Sequence, residues 1–310
     1  MIRLQWIILM PPMSRWPEPL ARAYAACEVM AQSHYENFPV ASRLLPAPMR
    51  PHVAAVYAFA RVADDLADEG TAPPAVRQEQ LRAWQTRLHD AAEGRHEDRP
   101  PVGREDLLFL ALGHSIRSLD LPVLLFDDLL SAFGQDTTTT RYRSWADVLD
   151  YCRRSANPVG RLVLRIAGYR SDTLERSADA LCTALQLTNF WQDFGRDWRA
   201  GRLYVPRDVQ EASGAREADL VRETISLPWA HAIEMCIVTT DRLFEEGRAV
   251  CDGVSGRLKA ELRLTWLGGR RILERVRARR SDLLQYRPTL GTSDLPVLLW
   301  RAACWRRVAV

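Results

Sequence analysis

The chain has 310 residues, a formal net charge of +3, 47% apolar residues and 26% charged ones. At that length roughly 75% of the surface can be buried, which leaves room for a large core with an interior pocket. The composition is that of an ordinary globular protein; so small a net charge says little about nucleic acid, and no nucleic-acid partner is expected.

In chain order, the apolar patch from Trp6 to Met10 follows a single Arg3 and runs into Pro11-Pro12. It is too short to span a membrane and lacks a small-residue cleavage site, so residues 1–17 read as a flexible extension of a cytoplasmic protein. Helical periodicity then dominates and strand signals are nearly absent. Helices are expected at about 18–34, 49–68, 77–92, 105–118, 121–134, 145–168, 174–198, 229–252, 256–280 and 292–308, parted by proline and glycine turn signals. Within 145–168, Asn157-Pro158-Val159-Gly160 should kink the helix. With no repeat and no Gly/Ser linker, residues 18–290 read as one all-α domain, and 291–310 as a C-terminal amphipathic helix packed on it. The six cysteines are widely spaced without a Cys-x-x-Cys pair, which points to free thiols in a reducing compartment.

Two basic segments stand out. Arg270, Arg271, Arg275, Arg277, Arg279 and Arg280 read as a solvated helix face, with an anionic lipid or substrate as the alternative. Leu295 to Val310 mixes Leu, Val and Trp with Arg301, Arg306 and Arg307. Such a helix lies at a bilayer interface or docks on a core, and both readings stand; the first would place the protein peripherally on the inner face of the plasma membrane.

The acidic clusters carry the chemistry. Asp64 and Asp68 are four apart, so their carboxylates share a helical face, with Asp65 about 100° round the same turn. Tyr57 and Arg61 precede them on that side. In the second cluster Asn189, Asp193 and Asp197 recur every four residues on a helix otherwise rich in apolar and aromatic residues. Carboxylates in such surroundings are costly unless a cation faces them. Mg²⁺ suits oxygen ligands and takes one or two carboxylates beside substrate phosphates; Mn²⁺ would satisfy the same oxygens. Two such helices facing each other would trap a diphosphate between metal ions. No Walker loop, dinucleotide glycine pattern or His-Glu-x-x-His competes for the role.

Tyr57-Ala-Phe-Ala-Arg61 with Asp64, Asp65 and Asp68, and Gln186-Leu-Thr-Asn189 through Asp193 and Asp197 to Gly201-Arg202-Leu-Tyr204-Val-Pro206, resemble the two motifs of the squalene/phytoene synthase family. The likeness covers about residues 20 to 290. It implies the isoprenoid synthase fold, a helical bundle around a central apolar cavity. Within the family, His34-Tyr35-Glu36-Asn37-Phe38-Pro39 and Asn189-Phe190-Trp191-Gln192-Asp193 are most like the bacterial branch that forms hydroxysqualene in hopanoid pathways. Condensing members usually have a basic residue where Gln192 stands and a Ser-rich stretch before the equivalent of Phe38.

The resemblance implies that presqualene diphosphate ionises, its cation rearranges, and water captures it as hydroxysqualene with release of pyrophosphate. Asp64, Asp65, Asp68, Asn189, Asp193 and Asp197 would hold the metal. Arg61, Asn189, His34 and Arg287 would meet the substrate, Arg61 either touching the diphosphate or neutralising Asp65. Phe38 and Tyr57 would wall the cation, whereas Phe59 and Trp191 are better explained as core. No NAD(P)H is expected for water capture, and the family's late tyrosine falls near Gly269. A presqualene diphosphate synthase and a hydroxysqualene reductase would be functional neighbours. Two alternatives stay open: a condensing synthase making presqualene diphosphate, squalene or phytoene with the same aspartates, and a non-catalytic scaffold relative.

Overall fold

Proline sets where many of the helices begin. Its fixed φ and missing N–H suit a helix start, and Pro51, Pro74 and Pro228 lie at the first or second positions of three long helices, while Pro122 and Pro206 precede two others. The computed structural model describes residues 16–33, 45–95 and 100–305. Among them the chain forms α1 (Glu18–Ser33), a 3-10 turn (Ala47–Met49), α2 (Arg50–Asp68), α3 (Pro74–Ala92), α4 (Arg104–Leu119), α5 (Val123–Asp136), α6 (Trp145–Ser155), α7 (Asn157–Ile166), α8 (Asp172–Gln192), α9 (Phe194–Arg199), α10 (Arg207–Ser213), α11 (Glu217–Val221), α12 (Leu227–Gly253), α13 (Gly256–Ala278) and α14 (Asp294–Ala303). The described residues contain no strand, only an isolated bridge between Arg141 and Leu203. No helix among them is long and apolar enough to cross a membrane.

The helices gather into two compact units, one holding residues up to Thr138 together with Pro158–Ser171, the other Thr139–Asn157 and the chain from Asp172 onward. In the first unit α2 packs against α1, α3, α4 and α5. Phe59, fully buried, meets Phe126 edge-on at 5.5 Å and stacks near Trp84 at 6.0 Å, as expected for a core ring. A buried polar knot ties α1, α2 and α4 together. Ser115 Oγ donates to the Ala111 carbonyl (2.8 Å) and shares a hydrogen bond with the Tyr24 hydroxyl (2.8 Å). The Nδ1 atoms of His52 and His114 lie 3.1 and 2.7 Å from the same Tyr24 hydroxyl, and His52 Nδ1 is 2.9 Å from Ser115 Oγ. Burial, with His114 alongside, pushes His52 down to about 4, so that ring stays neutral at physiological pH.

In the second unit α8 lies against α12, with α13 packed on both. The fully buried Trp191 donates to Thr240 Oγ1 at 2.9 Å, again a core role. A Cβ on Gly269 would come within 2.5 Å of Leu185 and 2.8 Å of the buried Phe244 ring, so this position of α13 has no space for a tyrosine side chain. The arginine run on α13 is met by carboxylates: Arg270 and Arg277 by Asp241, Arg277 also by Glu234, Arg271 and Arg275 by Asp294. All six cysteines are free, and all but Cys304 are buried.

The structure divides two of the expected helices. The one expected over 145–168 breaks after Ser155, because Pro158 supplies no N–H and crowds the carbonyl four residues back; Ala156 adopts φ −118°, ψ −45°. The one expected over 174–198 bends at Asp193, at φ −93°, ψ 10°. Helices α10 and α11, of seven and five residues, are too short for periodicity to reveal.

The α8–α12 packing depends on Gly247, where an added Cβ would lie 2.5 Å from the Leu181 backbone nitrogen. Gly247→Ala should therefore push the two helices apart at a cost of about 1–3 kcal/mol. The expected result is a clear fall in thermal midpoint followed by circular dichroism; an unchanged midpoint would show that the contact yields without strain.

Candidate active site: two aspartate clusters

The first cluster occupies the last turns of α2. At about 100° per residue, Tyr57, Arg61, Asp64, Asp65 and Asp68 fall on one stripe, while Phe59, Ala63 and Ala67 face the core. Four carboxylates, Glu69 included, thus crowd the negative end of a helix, where the macrodipole disfavours them. Arg61 answers them from one turn back, with its Nη2 2.6 Å from Asp65 Oδ1 and 3.3 Å from Glu69 Oε1, and its Nη1 3.6 Å from Asp64 Oδ2. Arg61 thus pairs with Asp65 in this structure, one of the two roles expected of it. Asp64 and Asp65 are part-exposed and Asp68 is exposed. Tyr57 is half-buried, and burial raises its hydroxyl pKa, the nearby carboxylates adding to the effect and Arg61 opposing it.

Arg77, which sequence reasoning missed, finishes this helix end. From α3 it donates to the carbonyls of Ala67 (2.5 Å), Gly70 (2.6 Å) and Ala72 (2.9 Å), gathering oxygens that a helix terminus leaves without partners. The only sequence signal is an arginine just inside a helix that begins at Pro73-Pro74.

The second cluster straddles the junction of α8 and α9. Asn189 Nδ2 donates to Asp193 Oδ2 at 3.0 Å, and Arg287 grips the same carboxylate through Nε and, at 3.3 Å, Nη2. Asp193 is buried, so this charge-assisted fork matters more than a surface pair would. Asp197, one turn on, is pushed up from 3.8 to about 7, by burial first and then by the Asp193 charge, with Arg202, Arg196 and Arg287 acting against the rise. Phe190 stacks on Tyr204 at 3.7 Å and 5°, beside Tyr151, and serves the core.

Arg287 reaches Asp193 because its segment is clamped to α8 and α9. A Cβ on Gly195 would come within 2.5 Å of the carbonyl oxygens of both Leu283 and Leu284, so only glycine permits this approach. Gln192 Nε2 donates to the Pro288 carbonyl at 2.5 Å, and Arg199 donates to that of Leu284. Gln192 is thus an anchor for the residue after Arg287, a role its position in the motif did not disclose.

The donors fit a hard divalent cation: carboxylates of Asp64, Asp65 and Asp68 in one cluster, carboxylates of Asp193 and Asp197 with the Asn189 amide oxygen in the other. Burial, and the Asp193 charge after it, disfavour the ionised form of Asp197, and a cation beside it would favour that form. Among the described residues no three His, Cys, Asp or Glu side chains form a ready-made metal cage. His34 and Phe38 lie outside the described residues.

An acid whose folded-state pKa is raised is protonated more in the folded than in the unfolded chain between the two values. Asp197 therefore withdraws stability as pH rises from about 4 through about 7. Asp197→Asn should raise the melting temperature of chelator-treated protein at pH 8, by roughly 2 °C or more, with a smaller gain at pH 5. Equal shifts at both pH values would contradict the assignment.

Comparison with known proteins bears on what these clusters serve. The chain is 42% identical over 224 residues to hydroxysqualene synthase of Zymomonas mobilis, covering 71% of this chain and 72% of that one. It is 33% identical over 267 residues to hydroxysqualene synthase of Sinorhizobium fredii, covering 86% and 87%, and 34% identical over 232 residues to phytoene synthase of Cereibacter sphaeroides, covering 73% and 64%. Among solved structures, squalene synthase HpnC from Alicyclobacillus acidocaldarius superposes with a TM-score of 0.79 at 38% identity, covering 86% of this chain and 97% of that one. A dehydrosqualene synthase shares the fold at a TM-score of 0.79 and 23% identity, covering 93% and 99%. The family description squalene/phytoene synthase matches residues 31–294, a span holding both aspartate clusters, and the chain belongs to that family of enzymes acting on prenyl diphosphates.

Proposed function

We propose that the chain converts presqualene diphosphate and water to hydroxysqualene and pyrophosphate. The observation that carries this reading is the 42% identity to a hydroxysqualene synthase over 71% of the chain, supported by Gln192, which is neutral and engaged with Pro288.

The reaction begins when the bond between the cyclopropylcarbinyl carbon and the diphosphate oxygen breaks and its electron pair leaves with the diphosphate. Bound Mg²⁺ would stabilise that charge as a Lewis acid, held by Asp64, Asp65, Asp68, Asn189, Asp193 and Asp197. Arg61 and Arg287, which meet carboxylates in the protein alone, would donate charge-assisted hydrogen bonds to phosphate oxygens once a cation shares those carboxylates. Tyr57, on the stripe of the first cluster, offers a π face to the rearranging cation, and Phe38 and His34 belong to the same reading. Water then adds its oxygen to the cation and gives up a proton. No NAD(P)H enters, since nothing is reduced. A presqualene diphosphate synthase would supply the substrate, and a reductase would remove the hydroxyl from the product.

The phytoene synthase relative supports a second reading, a condensing synthase that joins two prenyl diphosphates. Incubation of purified protein and Mg²⁺ with presqualene diphosphate, and separately with farnesyl diphosphate, distinguishes the two by mass spectrometry. Hydroxysqualene from the first and nothing from the second is the expected result; presqualene diphosphate or squalene from farnesyl diphosphate would establish condensation instead. Asp64→Asn and Asp193→Asn should each lower turnover by on the order of 10²-fold or more. Wild-type behaviour in both variants would remove the aspartates from the mechanism, and inertness of all three proteins toward both substrates would favour a scaffold.

A further inference from the structure

Helix α14 is docked with its apolar side outward. Its ends are held by polar and aromatic anchors. At the start, the buried Asp294 meets Arg275 Nη2 at 2.7 Å and Arg271 Nε at 3.3 Å, and accepts from the Gly291 backbone N–H at 2.7 Å. Just beyond the end, Trp305 packs edge-on against Trp266 at 5.2 Å, lies 4.5 Å from the Arg248 guanidinium and donates to Asp252 at 3.2 Å. Between these anchors Leu298 is the one large apolar side chain that is buried.

The other side of the helix is bare. Leu295, Pro296, Val297, Leu299, Trp300 and Ala303 are exposed and spread over about 200° of the helix circumference at 100° per residue. Trp300 is 65% exposed, Leu295 56% and Leu299 50%. Single exposed apolar residues are ordinary, but this is a continuous face with no charged residue in it, on a helix that its anchors hold in place. Arg301, also exposed, borders it, and the sequence continues to Arg306 and Arg307.

We infer that α14 is a peripheral membrane anchor, whose Leu295–Leu299–Trp300 face enters the acyl boundary of an anionic bilayer while Arg301 meets the headgroups. An interfacial helix needs an apolar face, cations at its edge and an aromatic ring at the boundary, and anionic lipid supplies the complementary charge. A second copy of the chain suits the face less well, because no exposed residue of α14 is acidic and Arg301 would find no carboxylate on the matching helix. The inference goes beyond the proposed reaction, and its test uses no substrate, so the two stand or fall separately.

The 310-residue chain is sedimented with vesicles of phosphatidylcholine alone and of phosphatidylcholine with phosphatidylglycerol. Wild type should pellet with the anionic vesicles, and less so in high salt. Leu299→Glu/Trp300→Glu should lower the partition coefficient by roughly tenfold or more with the melting temperature retained. Arg301→Glu should weaken binding to the anionic vesicles only. If the double variant does not fold, Trp300→Ser reports on the same face. Equal pelleting of wild type and variants would overturn the inference. So would absence of vesicle binding, including the case of a dimer, measured by light scattering, that Leu299→Glu/Trp300→Glu dissociates; the face would then join two chains.

Discussion

Carboxylates gathered into two clusters, each met by an arginine, are the constraint around which much of this protein is arranged. On α2 they crowd the end of a helix that repels them, and Arg61 is shared among three of them. At the α8–α9 junction Asp193 is buried and gripped by Arg287, while Asp197 is held well above the ordinary carboxylate range. The raised Asp197 costs stability as pH rises through its folded value. The arginines act as internal counter-ions: they keep the clusters tolerable without a ligand, and in the proposed reaction they have a second use against phosphate.

The second cluster depends on backbone as much as on side chains. Arg287 is the partner of Asp193 only because the 283–288 segment runs directly over α9, and that approach exists only because residue 195 lacks a Cβ. Gln192 and Arg199 then hold carbonyls of the same segment. A glycine, an amide and a guanidinium thus deliver one guanidinium to one carboxylate. The neutral Gln192 is committed to this anchoring through Pro288.

The stripes of the two clusters were legible because i, i+4 spacing survives any tertiary arrangement, and the family motifs coincide with them. The family followed from the same residues, and the all-helical class from periodicity along the whole chain. What escaped was set by distance along the chain: Arg77 capping α2 from the next helix, and the clamp of Gly195, Gln192 and Arg199 on a segment some ninety residues away. The bend at Asp193 escaped for another reason, since periodicity runs straight through it and backbone bonds from Asp193 to Asn189 and from Asp197 to Asp193 continue on either side. The arginine run of α13 reads in the sequence as a solvated helix face or a surface for an anionic lipid or substrate, and its carboxylate partners on α12 and at Asp294 lie too far along the chain for the sequence to name.

Amphipathicity is a statement about a helix, not about which side meets the protein. For α14 both orientations satisfied the sequence, and the choice fell to the anchors. Asp294 with two arginines and Trp305 with two more form a polar and cation–π attachment that a buried apolar seam would have made unnecessary. A helix kept rigid this way loses little conformational entropy when its free face is covered, because its backbone is already ordered. That pre-organisation separates α14 from a tail that must fold as it binds, and it makes the exposed leucines and tryptophan a standing surface of the second unit.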